Sequence, residues 1–218
     1  MVTLKNADKV PGSGILTYHF SEGASFPLRD AVRIMMVYSD NTATNLILDK
    51  IGIAPTGARM KSWGLPSTKI NVKVFKGSTT SIDPEATKKY GLGSTTARDM
   101  VGLLEKLYRK NLATPEACQE MLGHMKKCDD ATKLKRFLPE GIEVAHKTGS
   151  VSDVKTDAGI LYLPSGPVAV CVLTAQNADT SFKADNAANI LIGTIGKEVH
   201  DHFAQAPSAT PRLGNPKR

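Results

Sequence analysis

The hydrophobic period of this chain changes once, at about residue 142, and that switch narrows the possible architectures more than any other feature. Upstream, apolar residues follow a helical period. Leu28, Ala31, Met35 and Tyr38 mark one face, and Ala43, Leu46, Ile47 and Ile51 mark a second that stops at Gly52. A third helix is expected over 55–63, ending at Gly64. Thr96 with Asp99 reads as a capping box with Asp in place of Glu, opening a helix whose apolar face is Met100, Leu103, Leu104, Leu107 and Tyr108. Thr114-Pro115-Glu116 opens another, with Pro at its first helical position. Downstream, 142–147, 157–163 and 167–174 read as strands, the last two joined by Pro164-Ser165-Gly166. A final helix is expected from about Asp185 to Phe203. Helices, then an antiparallel meander, then a helix is an α+β order rather than an alternating α/β one.

Two stretches carry little periodicity. Residues 1–27 read as loop, broken by Pro11, Gly12, Ser13, Gly14, Gly23 and Pro27. Residues 64–94 form a long stretch of the kind that is functional when ordered. The domain is expected to span 1–203, with a proline-rich disordered tail over 204–218. At 218 residues the chain is long enough for a self-sufficient core. Its 28 Lys and Arg against 21 Asp and Glu give a net charge of +7. The basic residues are scattered, without aromatic interleaving, so a nucleic-acid partner is not expected. No apolar run reaches the length of a membrane span, and no leader is visible at the N-terminus. Cys118, Cys128 and Cys171 have neither disulfide-framework nor zinc spacing, so no metal and no cofactor is expected. His146 reads as a strand residue rather than a ligand, and Trp63 as an anchor under the helices.

Two motifs carry chemistry. Ser39-Asp40-Asn41 separates two helices, and Lys147-Thr148-Gly149-Ser150 ends a strand, 108 residues further on. Alone, the first reads as a helix N-cap and the second as a turn; in this order and context they are specific. Together with the stretches 35–52, 92–104, 138–150 and 157–174, they make the chain resemble the penicillin-recognising serine hydrolases over about residues 10–203, and within these the class A β-lactamases. The resemblance implies a β-lactamase/transpeptidase-like fold, a helical lobe plus an antiparallel sheet. It implies an acyl-enzyme route on a β-lactam or a peptidoglycan-like amide, and a monomer in the periplasm or secreted. In such a site the Ser39 hydroxyl can shuttle a proton to the leaving nitrogen, and the Lys147 ammonium can hold the substrate carboxylate and tune that hydroxyl. Thr148 can bond the same carboxylate, and Gly149 lets a substrate backbone approach the strand. By resemblance, the Ser150 N–H is an oxyanion donor and the Asn41 amide meets the substrate's side chain. Asp40 is expected to brace the turn.

Three departures stand beside the resemblance. The family's nucleophile is the serine of Ser-x-x-Lys, ahead of Ser-Asp-Asn. Of fourteen serines here only Ser152 has Lys three residues on, at Lys155. It follows Ser39 instead of preceding it and falls in an expected turn, so it is set aside. The nucleophile position would lie before Met1, and the chain is expected to lack the first helix, the first two strands and the nucleophile helix. Second, no glutamate has the Glu-x-x-Leu-Asn context that activates the deacylating water. Glu85 is the candidate for a displaced general base; the other reading is an exposed glutamate paired with Lys88 or Lys89. Third, the strand after Lys-Thr-Gly carries no carboxylate-binding arginine, and Lys155 is its candidate stand-in. Three functions follow: a β-lactamase-like hydrolase, a penicillin-binding or esterase-like enzyme that acylates and deacylates slowly, and a truncated module without catalysis.

Overall fold

In a computed structural model, which describes residues 1–204, the chain opens with β1 (Val2–Thr3), the short helix α1 (Leu16–His19) and β2 (Ser25–Phe26). The two strands pair antiparallel. Residues 1–27 are therefore structured, not the plain loop their composition suggests. Val2, Leu4 and Leu16 are buried against Ala43 and Leu46, and each such apolar side chain removed from water is worth about 1.5–3 kcal/mol. Three scattered anchors are too few to show as a period.

The next helices lie where periodicity puts them: α2 (Leu28–Tyr38), α3 (Asn41–Ile51) and α4 (Ile53–Ser62). Asp40 caps α3 by accepting the Ala43 N–H, and Gly52, at φ +76°, takes the left-handed turn that ends it. Trp63 is only half-buried, with the Arg59 guanidinium over its ring, so it does not anchor the lobe from beneath. The stretch 64–94 holds β3 (Lys69–Ile70), α5 (Gly77–Thr80), α6 (Pro84–Tyr90) and β4 (Gly93–Ser94). β3 pairs with β4 and closes the excursion at its base. Asp99, expected to complete a capping box, instead accepts the Ser67 N–H and the Thr68 hydroxyl. The Thr96 side chain does cap α7 (Ala97–Tyr108), and that of Thr114 caps α8 (Pro115–Met125).

β5 (Glu143–Val151), β6 (Val154–Leu163) and β7 (Gly166–Thr174) form an antiparallel sheet in that order, and α9 (Ala187–Ala204) follows. Alternation divides the sheet into two apolar faces. Ala145 and Ile160 pack on Leu104, Leu107, Leu122 and Met125 of α7 and α8. Val144, Leu161 and Val170 pack on Leu134 and on Ile192 of α9. β5 runs past the expected boundary at 147, so the Lys-Thr-Gly-Ser motif lies inside the strand. Gly149, Ser150 and Val151 pair with Thr156, Lys155 and Val154 across a turn at Ser152-Asp153. The apolar period could not show this extension, because Thr148, Gly149 and Ser150 interrupt it before Val151. β7 stands at one end of the sheet, its outer edge unpaired among the described residues. Of the tail expected over 204–218, Ala204 ends α9 and the rest lies outside the described residues. No helix among the described residues is long and apolar enough to cross a membrane.

Candidate active site

Ser39 sits in the two-residue break between α2 and α3, with φ 53° and ψ 38°. A non-glycine residue in this left-handed region costs roughly 1 kcal/mol and persists only where its surroundings hold it. Here they do. Ser13 donates its hydroxyl to the Ser39 carbonyl at 2.7 Å, and the Asn41 N–H donates to the Ser13 carbonyl at 3.1 Å. The Asp40 carboxylate is buried and accepts three backbone N–H groups, of Ile15, Leu16 and Ala43, at 2.7–2.8 Å. It thus caps α3 and the start of α1 together, the bracing role expected of it. Gly12 and Gly14 let this loop lie directly on the turn. A Cβ at Gly14 would come within 2.3 Å of the Asp40 carboxylate, and one at Gly12 within 2.5 Å of Asn41 Nδ2. Sequence reasoning took residues 11–14 as a breaker and missed Ser13; the signal was two glycines spaced two apart, each needing positive φ.

Lys147 projects from β5 and donates to Ser39 Oγ at 2.9 Å and to the Thr148 carbonyl at 2.8 Å. The two motifs therefore meet within hydrogen-bond distance across 108 residues of chain. Ser39, Asn41, Lys147, Thr148, Gly149 and Ser150 all line one cleft of about 1620 Å³. Burial pushes the Lys147 ammonium below its ordinary range, against the opposing fields of Cys128, Asp130 and Asp157. Asn41 donates one amide hydrogen to the Pro11 carbonyl at 2.9 Å, leaving its second N–H and its Oδ1 for a ligand. The absent Cβ at Gly149 has a reason within the fold: it would stand 2.5 Å from Thr156 Oγ1 on the facing strand.

Glu85 is not brought to this site. It is exposed in the first turn of α6 and lines a separate shallow depression with Asp83, Lys88, Lys89 and Tyr90. The reading of a displaced base has no geometry behind it here, because the N-cap at Asp83 and Pro84 start the helix with its outer face to solvent. Lys155 is fully buried and donates to the Val151 and Ser152 carbonyls, at 2.8 and 2.7 Å. Its ammonium fastens the β5–β6 turn, so it neither replaces an arginine at the cleft nor activates the Ser152 hydroxyl. The buried cation that sequence reasoning missed is Lys133. It is 2% exposed and pairs with Asp130, a cleft residue, at 3.1 Å. Burial pushes the Asp130 carboxyl up, but two hydrogen bonds from Thr132 and the Lys133 charge outweigh it and hold it far below the usual carboxylate range.

A sequence profile of the β-lactamase enzyme family matches residues 1–203. A β-lactamase of Bacillus licheniformis is 28% identical over 179 residues, 81% of this chain and 56% of that one. The chain thus spans little more than half the length of that curated relative. A solved β-lactamase of Sphaerobacter thermophilus superposes with a TM-score of 0.80 at 30% identity, over 94% of this chain and 74% of the other. A variant of PBP-A, solved as an acyl-enzyme complex with penicillin G, gives 0.76 at 26% identity, over 94% and 72%. The fold is the β-lactamase/transpeptidase-like α+β arrangement of these neighbours. With the profile covering the described chain almost end to end, and the two motifs meeting in the cleft, this chain belongs to the β-lactamase enzyme family.

Proposed function

We propose that these residues form the substrate-holding half of an acyl-transfer site for a β-lactam or a related cyclic or peptidic amide. The observation that carries the reading is the Ser39 hydroxyl held 2.9 Å from the half-buried Lys147 ammonium at the cleft wall. The ammonium holds the substrate carboxylate together with Thr148, and polarises the Ser39 hydroxyl. That hydroxyl passes a proton to the nitrogen released when the amide opens. The Ser150 N–H takes the developing oxyanion, and Asn41 holds the acyl side chain. The attacking serine is not among these residues: Ser152 lies in an exposed turn, and its lysine is bonded to backbone carbonyls.

Given as it stands, the chain does not turn over a chromogenic cephalosporin. It binds benzylpenicillin, and Lys147→Met weakens that binding by one to two orders of magnitude. A hydrogen bond to a charged group is worth about 1.5–3 kcal/mol, which sets this range. Absence of binding by calorimetry, or turnover abolished by Ser152→Ala, overturns the reading.

A second feature favours slow deacylation in the whole protein. Asp129 and Asp130 are the cleft's carboxylates among the described residues, and Asp130 is committed to Lys133 and Thr132. Among the described residues no glutamate lines the cleft to deprotonate a water, and a positioned base contributes about 10²–10⁴-fold. Penicillin given to a longer form that carries a nucleophile is expected to leave an adduct visible by intact-mass spectrometry. Turnover at tens per second without adduct would point to the β-lactamase reading instead.

A further inference from the structure

Behind Lys147 the fold assembles three groups that the acyl-transfer reading does not use: Cys128, His146 and Asp157. His146 is fully buried on β5, its Nδ1 3.0 Å from Asp157 Oδ2 and 3.1 Å from Oδ1. Gly159 stands opposite it in register, where a Cβ would come within 2.4 Å of His146 Cβ. The absent Cβ lets β6 pass close to the backbone and Cβ of His146. Nδ1–H donates to the carboxylate, and the second ring nitrogen, Nε2, is buried without a conventional hydrogen-bond partner. The other ionisable neighbour of the ring is the Cys128 thiol. Cys128 lies where the chain leaves α8, and it forms part of the cleft wall that also presents Lys147 and Thr148. A thiol beside an imidazole that is itself backed by a carboxylate is a thiolate-generating arrangement.

We propose that Cys128 is a second reactive centre of this protein, a thiolate nucleophile sustained by His146 and Asp157 that takes small hydroperoxides entering the cleft. The thiolate attacks one peroxide oxygen; an S–O bond forms and the O–O bond breaks. The sulfur loses two electrons to the peroxide and becomes a sulfenic acid. The departing hydroxide, or the alkoxide of an organic hydroperoxide, takes a proton from the His146 imidazolium and leaves as water or alcohol. At 5% exposure Cys128 admits only reagents small enough to reach the cleft floor, which suits hydrogen peroxide.

The charges around the pair agree. Burial pushes the Cys128 thiol up, but the His146 imidazolium, the Asp130 N–H and the Lys147 ammonium outweigh it, and the thiol lies below its ordinary range. Burial pushes the imidazole down, but Asp157 and Cys128 raise it to about 9. Lys133 and Asp130 are the remaining charges of this neighbourhood. The other two cysteines are internal controls. Cys118 is buried on α8 in the apolar core, and burial raises the Cys171 thiol to about 11.

The test treats the intact chain with hydrogen peroxide, then unfolds it in the presence of dimedone to trap sulfenic acid, with peptide mapping to locate it. Label is expected on Cys128 and not on Cys118 or Cys171, and is lost in Cys128→Ser. A second measurement needs no variant: the rate at which hydrogen peroxide oxidises each cysteine between pH 6.5 and 8.5. An ordinary thiol gains nearly tenfold per pH unit below its pKa, so roughly a hundredfold over this range. Cys128 is expected to climb less steeply than Cys118 and Cys171 over this range, and to regain the ordinary steep profile in Asp157→Asn. An unlabelled Cys128, or a rate that climbs with pH like a free thiol's, overturns the proposal.

Discussion

Asp130 and Lys133 show how one ion pair under the cleft couples stability to acidity. Lys133 is 2% exposed, so removing its partner strands a cation inside the protein. Asp130→Asn is expected to cost about 2–4 kcal/mol at neutral pH, toward the low side for a broken buried pair because the carboxylate side is partly open to solvent. The sign follows from the depressed carboxyl. Its contribution is complete above the unfolded carboxylate range, near pH 4, and is lost as the pH falls toward the lower folded value. Urea midpoints of the wild type and Asp130→Asn should therefore converge as the pH drops below about 4. A constant gap down to pH 2 would assign the cost to packing. Gly14 is the second sensitive residue. It has φ +117°, and a Cβ would land 2.3 Å from the Asp40 carboxylate. Gly14→Ala is expected to destabilise by more than about 1 kcal/mol and to weaken benzylpenicillin binding as well, because Asp40 and the Ser13 loop hold Ser39 in place. Gly23→Ala, also at positive φ but with open space around it, carries the strain without the collision and should leave binding intact.

Among the elements, α2 and α3 were legible to the residue, because each has a clean apolar face and an unmistakable stop, Ser39 at one end and Gly52 at the other. The strand pair β1–β2 and the short helices of 64–94 were not legible. Two-residue strands and helices of four to seven residues have too little period to read, and they are held by long-range contacts such as Asp99 to Ser67 and Asn45 to Val74. The same distinction runs through the site. Ser39, Asn41 and Lys147–Ser150 could be named because a motif carries them. Ser13, Lys133 and the partnership of Cys128 with His146 could not, because each acts through neighbours distant in sequence. Glu85 was named for its residue type alone, and the orientation of α6 decides its position. Glu85→Gln is accordingly expected to leave benzylpenicillin binding unchanged and stability within about 0.5 kcal/mol, as for other exposed substitutions. A loss of binding in that variant would mean that α6 turns its first turn into the cleft.

The molecule as a whole is a sheet with an apolar layer on each face, and a helical lobe that touches it at the cleft. α7 and α8 cover one face, α9 the other, and α2 meets α8 beside the site. The contact between Ser39 and Lys147 draws together two segments that fold against different neighbours, one on the N-terminal unit and one on the β5–β6 hairpin. This has a consequence in time. A contact spanning 108 residues must wait for its two ends to be brought together, and such closures come after local helices and hairpins have formed. In stopped-flow refolding, far-ultraviolet circular dichroism should recover first and β-lactam binding in a separate, slower phase. The hydrogen bond at the cleft then serves as a clock for the last step of folding, reporting the moment when two separately built halves become one molecule.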